Sequence, residues 1–224
     1  MTSDPAHPDP FHPGAVDHET ATFNAELEAR LAEYPPLTST TPAAAREARE
    51  LGESWAGPLV LSDRAVERML PGPAGQIRAR IFLPQSPRGV YLHIHGGGWV
   101  LGAAHHQDLR LEALADRCRV AVMSVEYRLA PEHPYPAGPD DCEAAAAWLA
   151  EHAPGEFGTD LLLIGGESAG AHLAVVTLLR MRDRYQFTGF LGANLVYGAY
   201  DLRLTPSARA WGGRNLVLST PIME

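Results

Sequence analysis

The hydrophobic pattern changes character along the chain. Phe23, Leu27, Leu31 and Tyr34 recur at helical spacing, and Pro35-Pro36 ends that helix. A second helix is predicted to begin near Pro42, with Ala44, Ala48 and Leu51 on one face. Neither helix belongs to an alternating strand–helix pattern, so both read as an accessory layer, a candidate lid. Ile77, Ala79 and Ile81 then alternate with Arg78 and Arg80, the signature of a half-exposed strand over 77–82. From Gly89 the grammar is regular. Apolar strands at 90–94, 120–125, 161–164 and 190–196 are separated by helical stretches. Leu111, Leu114, Ala115 and Cys118 mark the first helix, Cys142, Ala145, Ala146 and Leu149 the second, and Ala171, Leu173, Ala174, Leu178 and Leu179 the third. Strands that are apolar throughout and alternate with helices predict an α/β fold: a mostly parallel central sheet with helices on both faces.

This pattern divides the chain into an N-terminal arm (1–21, polar and proline-rich, read as disordered), helices over 22–56, an α/β core over 57–200, and a last segment over 201–224. Composition narrows the partners. Apolar residues make up 46% of the 224 positions and charged residues 20%, a soluble globular balance. A net charge of −9 argues against nucleic acid or an anionic membrane as partner. There is no membrane-spanning run and no signal-like leader, so a cytoplasmic location is the default expectation. Cys118 and Cys142 both fall on predicted apolar helix faces and read as buried thiols. The His105-His106-Gln107-Asp108 run suggests a metal site in composition, but it lacks an i, i+4 ligand pair and a third ligand; it reads as a solvated helix start. His7, His12 and His18 could hold an ion only loosely, so no metal and no cofactor is expected.

Two stretches carry chemistry. After the strand Leu161–Ile164 comes Gly166-Glu167-Ser168-Ala169-Gly170, a G-x-S-x-G at a strand-to-helix turn. A serine at such a turn is forced into strained backbone angles, and a Cβ at either glycine would meet the neighbouring strand or helix. The turn raises the hydroxyl above the sheet and sets the Ala169 N–H at a helix N-terminus. The second stretch, His95-Gly96-Gly97-Gly98-Trp99, follows the strand at 90–94. Consecutive glycines let backbone N–H donors converge on one point, as the oxyanion of acyl transfer requires; one such donor is worth roughly 2.7–4 kcal/mol. No Walker lysine follows and no G-x-G-x-x-G occurs, which disfavours a phosphate cradle.

His95–Trp99, Tyr127–Ala137 (YRLAPEHPYPA) and Gly166–Gly170 stand in the order and approximate spacing of the hormone-sensitive-lipase-like esterases, and from about Ile77 onward the chain resembles that α/β-hydrolase family. The resemblance implies an α/β-hydrolase fold and carboxylic ester hydrolysis of short- to medium-chain acyl esters through an acyl-enzyme. It implies Ser168 as nucleophile, with Gly97, Gly98 and Ala169 giving oxyanion N–H groups. His95 and Gly96 would support the glycine loop, Tyr127–Ala137 would shape the floor of the site, and the N-terminal helices would form part of a cap. From the residues alone, the Arg128/Glu132 pair and the prolines of that segment say only that it is a rigid, polar connection.

A serine hydroxyl needs a general base, usually a histidine oriented by a carboxylate. In α/β-hydrolases these follow the serine. Here His172 is the only later histidine, one turn into the elbow helix, with no acidic residue between it and Ser168. The expectation is therefore a hydrolase fold incomplete at its C-terminal side, ending inside a cap insertion suggested by Trp211–Met223, with a 224-residue chain of very weak activity. The sheet edge at 190–196 would be unprotected and invite self-association. The alternatives are a non-catalytic small-molecule binder on the same fold, as in the plant gibberellin receptors that this family resembles, or a fragment without independent function.

Overall fold

The computed structural model describes residues 16–224. The arm expected over 1–21 lies outside the described residues up to position 15, and its end is helical. Helix α1 (His18–Ala32) starts where the Asp17 side chain accepts the Thr20 N–H at 2.7 Å. Two compact units result: residues up to Gly57 together with Arg203–Glu224, and Pro58–Leu202.

In the first unit, α1 buries Leu31, while Phe23 stays 62% exposed. Helix α2 (Pro42–Glu50) is capped by Thr41 and has no buried residue; Leu51, expected on its apolar face, is exposed. The C-terminal segment adds two short helices, α6 (Pro206–Ala210) and α7 (Thr220–Met223), the latter tied back by a Thr220 hydroxyl that donates to the Ala208 carbonyl. Arg214 pairs with Glu28 of α1 across the sequence.

The second unit is a six-stranded sheet, built from β1 (Val66–Gly72), β2 (Gly75–Phe82), β3 (Val90–Ile94), β4 (Ala121–Val125), β5 (Leu162–Glu167) and β6 (Phe190–Val196) in the order β1-β2-β4-β3-β5-β6. β1, β2 and β4 pair antiparallel, and β4, β3, β5 and β6 run parallel. β3 and β4 are buried at every position because helices cover both faces, which is why they read as unbroken apolar runs. On one face Leu92, Ile94, Met123 and Ile164 pack under α4 (Ala137–Phe157) and α5 (Ala169–Tyr185). On the other, Tyr91, Val122 and Phe82 pack under Leu111 and Ala115 of α3 (Asp108–Cys118). Each fully buried side chain of this size contributes roughly 1.5–3 kcal/mol.

Two sequence expectations fail on α3. Cys118 is exposed, because the helix ends there with Arg119 in the left-handed region at φ 52°; only Cys142 is buried, and burial pushes its thiol pKa up. Asp108 is not at a solvated helix start. Its side chain is fully buried, accepting the Ser62 N–H at 2.9 Å and the Arg80 Nε–H at 2.7 Å. Removing one partner of a buried pair leaves the other charge uncompensated. Asp108→Ala is therefore expected to lose about 3–5 kcal/mol in a urea titration; a loss under about 1 kcal/mol, no more than an exposed pair contributes, would show the pair to be solvated.

Candidate active site

Ser168 sits between β5 and α5 with φ 54° and ψ −120°, a sparsely populated region for a residue bearing a Cβ. The surroundings hold it there. Its N–H donates to the Val196 carbonyl at the end of β6 (2.9 Å), and its carbonyl accepts the His172 N–H (3.1 Å) as the first helical bond. The flanking glycines answer to a steric demand. A Cβ on Gly166 would lie 2.0 Å from the Ile94 carbonyl oxygen, and one on Gly170 1.9 Å from the same atom. Helix α5 thus starts hard against the end of β3, and Ser168 is left half-buried.

The glycine loop leaves that same end of β3. A Cβ on Gly96 would stand 2.8 Å from the Glu167 carbonyl oxygen and 3.4 Å from the Ser168 Cβ, so the loop passes directly beside the serine. Gly97 takes φ 120° and its carbonyl accepts the N–H groups of Val100 (3.1 Å) and Leu101 (2.7 Å), folding the loop into a tight turn. Gly98 (φ 60°) is exposed. Among the described residues the N–H groups of Gly97, Gly98 and Ala169 find no acceptor.

His95 is buried under Tyr127: the rings stack with centroids 4.3 Å apart, and the Tyr127 hydroxyl donates to the His95 carbonyl at 3.0 Å. Its Nδ1 lies 2.8 Å from the Gly96 carbonyl, and its buried Nε2 has no partner among the described residues. Burial lowers its pKa to about 4, which keeps the ring neutral. In the Tyr127–Ala137 segment the Arg128 guanidinium pairs with Asp141 of α4 through two bonds of 2.8 Å. The Ala130 N–H donates to the Trp99 carbonyl at 3.0 Å, binding this segment to the glycine loop. His172 meets Trp99 edge-on at 5.2 Å; its Nδ1 has no partner among the described residues, and burial lowers its pKa.

Sequence reasoning missed the polar cluster beneath the loop. Glu167 Oε1 accepts the Gly96 N–H at 2.8 Å and a bond from the Gln107 amide, and its Oε2 lies 3.0 Å from His93 Nε2. His93 Nδ1 in turn meets the Ser124 hydroxyl at 3.0 Å. The available signal was a histidine inside an otherwise apolar strand and a carboxylate at the end of another.

A profile of the alpha/beta hydrolase fold matches residues 91–224. The chain belongs to the α/β-hydrolase family. It is 38% identical over 145 residues to the carboxylic ester hydrolase LipN of Mycobacterium tuberculosis, covering 63% of this chain and 38% of LipN. It is 32% identical over 148 residues to an acetyl esterase of Salmonella schwarzengrund, covering 64% of this chain and 46% of that protein. Among solved structures, a hyperthermophilic esterase from Pyrobaculum calidifontis superposes with a TM-score of 0.78 at 29% identity, covering 90% of this chain and 67% of that one. These relatives agree with the hormone-sensitive-lipase-like resemblance. The chain spans less than half the length of these two curated relatives. No helix among the described residues is long and apolar enough to cross a membrane.

Proposed function

We propose that this hydrolase is a carboxylic ester hydrolase in which Ser168 attacks the carbonyl carbon of a short- or medium-chain acyl ester. The Gly97, Gly98 and Ala169 N–H groups receive the oxyanion. The tetrahedral intermediate collapses to an acyl-Ser168, the alcohol leaves with a proton, and water later releases the acid. The observation that carries this reading is the packing of Gly96 beside the serine, so close that a Cβ added there would meet the Ser168 Cβ at 3.4 Å; this supports bringing the unpaired loop donors to the strained serine. The esterase names of the relatives support the reaction class.

The general base is the weak point of the 224-residue chain. His172, the only histidine after Ser168 in the sequence, sits edge-on to Trp99, and among the described residues no carboxylate bonds its Nδ1. Binding and oxyanion donors alone give about 10³–10⁴-fold over water. The p-nitrophenolate leaving group departs without needing a proton, whereas the water that releases the acid needs a base, so p-nitrophenyl butyrate is expected to leave a slowly turning-over butyryl adduct on Ser168. Intact-mass spectrometry should find that adduct, and Ser168→Ala should lack it. Turnover that persists unchanged in Ser168→Ala would overturn the reading, and robust serine-dependent turnover would overturn the weak-chain part of it. Thermal stabilisation by the ester with no adduct would favour a non-catalytic binder.

A further inference from the structure

We propose that Glu167 is the positioning residue that fixes the glycine loop against the serine's turn, with His93, Ser124 and Gln107 holding its carboxylate in place. The catalytic meaning of this inference rests on the oxyanion reading of Gly97 and Gly98; the structural claim concerns Gly96 alone.

The loop leaves β3 and the serine leaves β5, so their separation has to be set by something that joins the two strand ends. Glu167 does this directly. It is the last residue of β5, bonded covalently to Ser168, and its Oε1 accepts the Gly96 N–H at 2.8 Å. The bond is charge-assisted, stronger than one between neutral groups. It satisfies the last loop N–H before the two donors that stay unpaired, so Gly97 and Gly98 hang from an anchored point.

The carboxylate itself cannot swing. His93 is opposite it at 3.0 Å and Gln107 donates to Oε1, while the Ser124 hydroxyl holds the far nitrogen of the His93 ring at 3.0 Å. An ionised carboxylate only accepts, so the consistent assignment has His93 Nε2–H donating to Glu167 and Nδ1 accepting from Ser124. The Glu167 side chain is 7% exposed and His93 3%, so water does not compete for these bonds. Burial by itself would raise the Glu167 pKa; the bonds from His93 and the Gly96 N–H, with the charge of Arg110, bring it below the usual glutamate value.

His95 cannot take this role. Its Nδ1 bonds the carbonyl of its own neighbour Gly96, and its carbonyl is held by Tyr127, so no bond of its ring reaches β5 or the turn. It packs the root of the loop, whereas Glu167 sets the gap.

Hydrogen-exchange mass spectrometry on the 224-residue chain separates the possibilities, with Glu167→Ala, Glu167→Asp and Glu167→Gln compared to the unaltered chain. Glu167→Ala removes the acceptor, and Glu167→Asp withdraws it by one methylene. In both, exchange of the peptide spanning 95–99 is expected to accelerate about tenfold or more while β3 and β4 keep their protection. Glu167→Gln keeps an amide oxygen for the Gly96 N–H, and His93 can switch tautomer to face the amide; exchange should stay within about threefold of the unaltered chain. If Glu167→Ala fails to fold, the Asp and Gln pair decides. The acylation rate by p-nitrophenyl butyrate is the second readout. It should fall about 10²-fold in Glu167→Asp with half-saturation unchanged within about threefold, and be largely rescued in Glu167→Gln. Unaltered loop exchange in Glu167→Ala or Glu167→Asp overturns the proposal, as does a loosened loop that acylates at the original rate. Absence of acylation in the unaltered chain would sink the esterase reading, and the exchange pattern would still decide the role of Glu167.

Discussion

Gly170→Ala is expected to abolish the cooperative folding of the hydrolase unit. The added Cβ would lie 1.9 Å from the Ile94 carbonyl oxygen and 2.7 Å from that of His95, distances that no side-chain rotation relieves. Both obstacles are main-chain atoms at the end of β3, whose Ile94 is paired in register with Gly166 of β5. To make room, α5 would have to lift from the sheet or the β3–β5 ladder would have to part. Either costs more than about 4 kcal/mol, the range reserved for severe overpacking and backbone strain. Small domains hold about 5–15 kcal/mol in total, so the variant should show no sharp thermal transition by circular dichroism. Gly155→Ala serves as the control. It lies within α4 with nothing within 4 Å of its added Cβ, and helix propensity should make it neutral or up to about 1 kcal/mol more stable. A Gly170→Ala chain melting within a few degrees of the original would show that the helix start has slack that this packing denies.

The same packing explains what the sequence made legible. β3 and β4 are surrounded by helices and strands on all sides, so their apolar runs announced them. The serine turn was readable because its glycines answer to one local steric demand, the Ile94 carbonyl. β1 was invisible because it is an edge strand whose first four residues are exposed and which carries Pro71, a residue that donates nothing to a ladder. β5 runs through Gly165 and Gly166 to Glu167, three residues past its aliphatic stretch, since Gly165 has the Asn194 carbonyl 2.2 Å from where its Cβ would be. Spacing put Cys118 on a buried face but could not show that α3 stops beneath it. The polar pairs were the least legible part. Arg80 finds Asp108 28 positions away and His93 finds Glu167 74 away, and no local pattern links residues joined only by the crossing of the chain.

Self-association of the 224-residue chain through β6 is the second large effect expected. β6 pairs with β5 on one side only, so its other backbone edge has no strand partner among the described residues. Alternate residues Leu191, Ala193 and Leu195 point to one exposed face, Leu191 at 72% and Leu195 at 39% exposure. No lysine or proline blunts the strand, and both main-chain groups and apolar side chains are offered together. Burying a leucine side chain is worth roughly 1.5–3 kcal/mol. Placing lysine at both positions should therefore remove about 3 kcal/mol or more from each contact, and at 1.4 kcal/mol per decade weaken association about 100-fold or more. Sedimentation velocity across rising concentration reads this directly: the unaltered chain forms dimers or larger species, and Leu191→Lys combined with Leu195→Lys shifts it to monomer. Leu109→Lys, on an exposed position of α3 outside the strand edge, should leave association unchanged. If the unaltered chain sediments as one monomeric species at tens of micromolar, the free edge is too twisted or too polar in its backbone presentation to recruit a second strand.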